Sequence, residues 1–396
     1  MTNLVFLSEA KQSQKGRKEM KVLYLINHAG KAGTEAYVRL LAERMHGRLT
    51  EASLVYNEEG ILSAGMRELG ITVYRLKMSN PFDLAAAFRL SRICRNAGTE
   101  IIHTQFLREN YIALISRIFN PRVKVLYTNH FILSNNIILR FCNRILTKLQ
   151  AGIIAVCGKG KEMLIRNGND PGKISVIYNG VDPAKWGGSP DERRHSSLRS
   201  ELGLGDDIFL ILCGSRFAYD KGHDFLIRSA AELAEIKEEN AGIPEFRFVL
   251  ANDGPFLDST KKLALEMGIK DLIFFIGPRK DMKNVYDSCD MYVNSSAHEA
   301  LSFAIVEALA EGLPVVATNV GGNPEIISDE TKCGILVPYG DHKKMAAAIW
   351  SVMKDEHLRE ELSLNALKTV REKFSLDKMT AETYNQYVKI TRRLQL

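Results

Sequence analysis

Short apolar runs recur along the whole chain between segments of helical periodicity. In the first half they read KVLYLINH, SLVYN, TVYRLK, EIIHTQ, VKVLYTNH, GIIAVCGKG and ISVIYNG, and in the second half DIFLILCGS, FRFVLAND, LIFFIGP, MYVNSS, PVVATNV and GILVPYG. The runs are continuous rather than alternating, as expected of strands covered on both faces, and strands separated by helices pair in parallel. The pattern therefore predicts an α/β protein of two doubly wound, Rossmann-like domains. Between Gly180 and Gly205 the chain turns polar, with Pro183, Gly187, Gly188, Ser189 and Pro190 and a cluster of Asp, Glu and Arg, which reads as a linker. The expected organisation is a polar, disordered extension over 1–19, a first domain over 20–185, a linker over 186–205, a second domain over 206–375 and a terminal helix over 376–396.

One stretch carries more information than the others, NSSAHEALSFAIVEALAEGLPVVATNVGGNPE from Asn294 to Glu325. Ser302 is a good N-cap for the apolar run Phe303 to Glu311, and Gly312 with Pro314 supplies the stop. Helix starts present unpaired N–H groups and the positive end of the dipole, so the backbone around Leu301, Ser302 and Phe303 is suited to an anion, most simply a phosphate. Glu299 precedes this tip, and Glu307 lies about 7 Å along the axis, its side chain leaning back toward the tip. That arrangement suits a ribose at Glu307, a diphosphate at the cap and a sugar at Glu299.

The two glutamates with seven residues between them, followed by EALAEGLPVVATNVGGNPEII, closely resemble the donor-site motif of the retaining glycosyltransferases of family four, which have the GT-B fold. The resemblance covers most of residues 20 to 396. It implies that the two domains face one another across a cleft and that the last helix crosses back to the first domain. It also implies a nucleotide-sugar donor, and no cofactor beyond that substrate. In the segment GSRFAYDKG, Arg216 and Lys221 follow a buried strand and resemble the family's basic pair. They are the expected counter-charges for the departing diphosphate. Arg279, in the loop after FFIG, falls where the family holds the base by backbone contacts. Gly33, with Thr34 and Glu35, resembles a GGxE-like turn, although Ala32 stands where the family often has glycine. His130 resembles the histidine of a Thr-x-His-Asp segment that touches the donor sugar, with Phe131 replacing the aspartate. Such enzymes are thought to retain configuration by front-face attack, in which Glu299 and His130 orient the sugar and no carboxylate becomes a nucleophile. His103 also ends a strand and fits a structural or a ligand role equally. His298 reads as structural.

No Asp-x-Asp triplet occurs in the chain, so no metal is expected at the diphosphate. Six scattered cysteines with no CxxC pair read as free thiols. No run is long and apolar enough to span a bilayer, and the start lacks the apolar core of a signal peptide, so cytoplasmic residence is the expectation. Charge is unevenly placed. Residues 1–190 hold 27 Lys and Arg against 14 Asp and Glu, whereas residues 191–396 hold 26 against 33. Within the basic half, Ile137 to Leu149 set Arg140, Arg144 and Lys148 four apart. The bland reading is a helix whose apolar side faces the core, and the functional one is attachment at the inner face of an anionic membrane.

The expected function is transfer of a sugar, from UDP above other nucleotides, to a glycan or polyprenyl-linked acceptor in cell-surface polysaccharide synthesis, with no nucleic-acid partner. The rivals are a nucleotide-sugar epimerase or hydrolase on the same fold, which leaves no sugar on an acceptor, and a catalytically silent binding protein, which releases no UDP. A dehydrogenase is disfavoured by the absence of GxGxxG.

Overall fold

The structure, a computed structural model, describes residues 19–30, 33–186, 197–240 and 244–392. It divides into two compact units, one of residues 1–179 with 376–396 and the other of residues 180–375. The expected 1–19 extension and the glycine- and proline-rich part of the expected linker, 187–196, lie almost wholly outside the described residues.

All thirteen apolar runs are strands. In the first unit they are β1 (Met20–His28), β2 (Thr50–Glu58), β3 (Thr72–Arg75), β4 (Ile101–Thr104), β5 (Lys124–Asn129), β6 (Gly152–Ala155) and β7 (Ile174–Val176). They form one parallel sheet in the order β3-β2-β1-β4-β5-β6-β7. The second unit holds β8 (Phe209–Cys213), β9 (Phe246–Ala251), β10 (Ile273–Gly277), β11 (Met291–Asn294), β12 (Val315–Thr318) and β13 (Gly334–Val337), in the parallel order β10-β9-β8-β11-β12-β13. Leu23, Leu25, Ile102 and Val125 in the first sheet, and Ile211, Val293 and Val316 in the second, are fully buried, as continuous apolar strands require.

In each sheet the strand order reverses direction once, between β1 and β4 and between β8 and β11. At such a switch point the flanking loops diverge and open a crevice beyond the carboxyl ends of the strands. The loops that carry Arg216, Lys221 and Glu299 leave β8 and β11, so the switch point of the second sheet is where they begin.

Two segments differ from expectation. Part of the expected linker, Ser197–Glu201, is a helical turn fixed to the second unit, because the buried Arg199 pairs with Asp290 at 2.9 Å and donates to the carbonyls of Ser288, Gly205 and Ile208. The helix begun at Ile137 ends at Leu146, and its apolar side is exposed rather than turned to the core. The last helix, Leu376–Arg392, packs within the first unit, where the Tyr387 hydroxyl lies 3.5 Å from that of Tyr24.

Candidate active site

Three loops of the second unit are knitted together at the switch point. Ala297 N–H donates to the Asp220 carbonyl at 2.8 Å, Ser295 Oγ to the Lys221 carbonyl at 2.9 Å, and Thr318 Oγ1 to the Ser296 carbonyl at 2.6 Å. Two glycines make this close packing possible. Gly222 has φ +62° and a Cβ there would lie 2.2 Å from the Ser295 oxygen, while Gly321 has φ +55° and its Cβ would meet the Glu299 oxygen at 1.6 Å. Any side chain at either position displaces the backbone of the Glu299 loop.

Lys221 and Glu299 meet inside this knot. Lys221 Nζ lies 2.8 Å from Glu299 Oε1, which also accepts from Ser296 Oγ at 2.8 Å, and Asp220 flanks the ammonium at 3.4 Å. Burial alone would lower the Lys221 pKa. The pairing with Glu299 and Asp220 outweighs it, and the net shift is upward, so the ammonium stays charged. An arriving anion therefore meets a cation already ordered, with a carboxylate that it must share or displace.

The helix after this loop runs Phe303–Ala310, and Ser302 caps it, its hydroxyl accepting from Ile305 N–H at 3.4 Å. One of the four end amides is thus used, and Val306 N–H makes the first intrahelical bond to the Ser302 carbonyl. By helix geometry the amides of Phe303 and Ala304 have no acceptor within the helix. Glu307 is half-buried. Tyr286 Oη lies 3.2 Å from both its Oε2 and the Ala304 carbonyl, and burial pushes the carboxyl up to about 7. One phenolic proton cannot serve both oxygens. A protonated Glu307 resolves this by donating to Tyr286, which then donates to Ala304.

The remaining candidates of this unit are placed differently. Arg216 is exposed and forms no ion pair with any described residue. The Arg279 guanidinium is committed to two carboxylates, bidentate to Glu201 at 2.7 and 3.0 Å and to Asp281 at 2.9 and 2.8 Å, so only its backbone is available for a base. His298 is exposed, held through its backbone. Two cavities lie elsewhere: one of about 370 Å³ around Arg199, Asp290 and Arg359 at the amino-terminal edge of the sheet, and one of about 320 Å³ lined by Tyr219, His223, Phe256 and Tyr339. Among the described residues no three His, Cys, Asp or Glu converge as metal ligands would.

The histidine candidates of the first unit form a neutral, buried cluster. His130 follows β5, its Nε2 3.0 Å from Gln105 Oε1 and its ring edge-on to Tyr37 at 5.0 Å. His103 bridges Tyr387 Oη at 2.8 Å and Thr128 Oγ1 at 2.7 Å. Burial lowers both imidazoles to about 3, and for His103 the neighbouring His130 adds to the effect. Gly33 opens the helix Gly33–Met45 at an exposed position, followed by the buried Glu35, whose Oε2 has no hydrogen-bond partner among the described residues. Lys31 and Ala32 lie outside the described residues.

Sequence reasoning missed Tyr286, Ser296, Gln105 and Tyr387. Ser296 had a local signal, three residues before Glu299. The others had none, since Tyr286 is 21 residues from Glu307 and Tyr387 is 284 from His103.

Comparison with known proteins covers both units. The family described as glycosyl transferases group 1 matches residues 195–369, and that described as glycosyltransferase family 4 matches residues 32–185. A glycosyltransferase of Methanocaldococcus jannaschii, MJ1607, whose own activity is uncharacterised, is 33% identical over 238 residues, and the match spans 59% of each chain. The UDP-Gal:alpha-D-GlcNAc-diphosphoundecaprenol alpha-1,3-galactosyltransferase of Escherichia coli is 25% identical over 315 residues, covering 77% of this chain and 79% of that protein. HepE from Anabaena, solved with UDP, superposes with a TM-score of 0.80 at 22% identity, over 93% of this chain and 100% of that one. Its likeness shows that the two sheets have the GT-B fold.

Proposed function

Since the chain belongs to the glycosyltransferases, its two halves matching the family 4 and group 1 families, we propose that it moves a sugar from a nucleotide-sugar donor, UDP-sugar in the first instance, to a glycan or lipid-linked acceptor with retention of configuration and without a metal. The observation that carries this reading is the Lys221–Glu299 pair at 2.8 Å, held in the switch-point loop that runs directly into the capped helix tip at Ser302. A diphosphate at that tip has amides on one side and Lys221 on the other, which meets the charge that develops on the leaving group. Arg216 supplies a second cation from the same loop. Glu307 takes a ribose hydroxyl, and Glu299, released from Lys221 as the phosphate takes the ammonium, accepts from the sugar. His130, neutral throughout, orients the sugar as donor or acceptor of a hydrogen bond.

HepE binds UDP and UDP-glucose, and the galactosyltransferase acts on a diphosphoundecaprenol acceptor. These likenesses favour a uridine donor and a lipid-linked acceptor here.

A thermal-shift panel of UDP-, GDP- and ADP-sugars tests the donor. A ligand at about 100 times its dissociation constant stabilises by about 2.7 kcal/mol, and a UDP-sugar is expected to give that response. Transfer to an extractable lipid acceptor is expected to survive EDTA. No shift with any nucleotide-sugar, or activity lost to EDTA and restored by a divalent ion, overturns the donor or the metal-free half of the reading respectively.

A further inference from the structure

The cavity of about 320 Å³ beside Tyr219 shares a loop with Lys221, yet Lys221, Glu299, Ser302 and Glu307 are not among the residues that line it. The turn Tyr219–Lys221 closes as Lys221 N–H donates to the Ala218 carbonyl at 3.0 Å, and Gly222 then sends the chain into the helix His223–Glu239. Tyr339, just after β13, lies over that glycine, its Cε2 3.1 Å from where a Cβ would stand, and its ring meets Phe225 at 5.3 Å. Phe256 precedes the helix Leu257–Glu266 and is held by its own N–H, which donates to the Phe217 carbonyl at 3.0 Å. Three segments thus bring an aromatic ring each to one cavity. The rings are left open to solvent: Tyr219 is 81% exposed, Phe256 42% and Tyr339 43%. Tyr219 and Phe256 stand 6.2 Å apart, tilted by 51°.

Exposed aromatic surface gathered in this way marks a site of association. The polar groups of the same cavity point to a ligand that donates hydrogen bonds. His223 is 3% exposed, its ring stacked on Phe217 at 4.1 Å and its Nε2 3.3 Å from Ser215 Oγ. Its Nδ1 is buried and has no hydrogen-bond partner among the described residues. Burial lowers this imidazole to about 4, so the ring is neutral and Nδ1 has one hydrogen bond to give or take. Leaving that bond unmade costs free energy, which a ligand hydroxyl restores. Ser259 and Thr260 both donate to the Phe256 carbonyl, at 2.9 and 2.7 Å, and so keep lone pairs for an incoming donor. Asp224 is the charged residue of the lining, which holds no Lys or Arg.

A phosphate-bearing ligand meets an unanswered negative charge here, and an alkyl chain leaves Asp224 and His223 Nδ1 without partners. A pyranose ring suits both halves of the cavity, since it offers a flat C–H face to an aromatic ring and a rim of hydroxyls to the acceptors. We propose that this cavity is a carbohydrate subsite apart from the donor site, which holds one ring of a neutral glycan with its C–H face against Tyr219 and Phe256 and its hydroxyls on Asp224 and His223 Nδ1. That the glycan is the acceptor or the product rests on the proposed transfer reaction, whereas the aromatic walls and the unpartnered nitrogen do not. Tyr219 and Lys221 belong to one turn, so a bound glycan steadies the backbone that carries the ammonium.

Saturation-transfer NMR of the full chain with neutral trisaccharides of glucose, galactose and N-acetylglucosamine, in α and β linkage, tests it. At least one of these probes is expected to bind, and to stay bound when UDP is added to saturation. Tyr219→Ala, which removes a ring that is mostly in solvent, is expected to weaken that binding by at least about tenfold, and Asp224→Asn to weaken it with the shape of the cavity kept. Unchanged melting temperatures show that both variants fold. Binding by none of the trisaccharides, displacement by UDP, undiminished binding by Tyr219→Ala, or displacement of the sugar by tetramethylammonium, which would make the rings a cation cage, overturns the proposal. Binding is read without turnover. A chain that holds a trisaccharide here but responds to no nucleotide-sugar keeps this site and loses the transfer reaction, and one that transfers sugar but holds no trisaccharide does the reverse.

Discussion

The two polar clusters settle the charge of their buried and half-buried groups in opposite ways. In the second unit Lys221, Glu299 and Asp220 are charged, and the ammonium is stabilised by its partners against the cost of burial. In the first unit His103 and His130 are more deeply enclosed and have no carboxylate partner, so burial keeps them neutral. Charge survives in a low dielectric where an opposite charge is within contact distance, and is otherwise given up to the solvent as a proton. The charged cluster is thereby fitted to hold an ionic ligand, and the neutral one to orient hydroxyl groups.

The sharpest test of that contrast is Lys221→Ala, which removes the cation and strands a largely buried carboxylate. Turnover is expected to fall at least about tenfold, equivalent to about 2 kcal/mol or more of lost charge stabilisation, measured as UDP release. The thermal midpoint is expected to fall as well, and Glu299→Gln added to Lys221→Ala is expected to recover part of it, since the stranded charge is gone. Unchanged turnover removes Lys221 from the chemistry.

Acid provides the complementary test of the neutral cluster. Each histidine has a folded pKa near 3, below its unfolded value, so between about pH 6.5 and pH 3 the unfolded chain binds protons that the native one does not. Stability is then lost as pH falls through that window, by about 2 kcal/mol per histidine at pH 5. Urea melts at pH 7 and pH 5 are expected to show this loss, and His130→Gln to show less of it. An inflection in the rate between pH 6 and 7 that disappears in His130→Gln would contradict the neutral imidazole.

Tyr387→Phe probes the tie between the last helix and His103. It deletes a hydroxyl bonded at 2.8 Å and is expected to destabilise by about 1 kcal/mol, with the donor KM unchanged. A large change in donor KM would move this network from support to binding.

The last test is at Glu307. Its raised pKa, about 7, means that the native carboxyl holds a proton the unfolded one has lost between about pH 4.5 and 7, so its burial costs stability increasingly as pH rises through that range. Glu307→Gln keeps a donor for Tyr286 and is expected to be more stable than wild type at pH 8 and no more stable at pH 4, a difference reduced by the partial exposure of the side chain. Equal stability at both values would show that the carboxyl titrates normally.

The strands, the sheet class and the switch-point loops were readable along the chain because each depends on local information. Burial on both faces demands an unbroken apolar run, a helix tip demands a cap such as Ser302, and a left-handed turn demands Gly222 or Gly321. The segment from Asn294 to Glu325 was most legible because its carboxylates, cap and glycine turns are neighbours in sequence. Tertiary structure alone decided which side chains neutralise one another and which surfaces stay bare. Nothing near Lys221 in the chain announces Glu299, 78 residues on, or marks Arg279 as already held by Glu201. The helix at Ile137 shows the limit most plainly, since its periodicity defines an apolar stripe but not its partner. That stripe is exposed because the inward side is held by Asn143 and by half-buried Leu139 and Leu146, and which side a helix turns to its domain is settled by the elements it packs on, not by its own sequence.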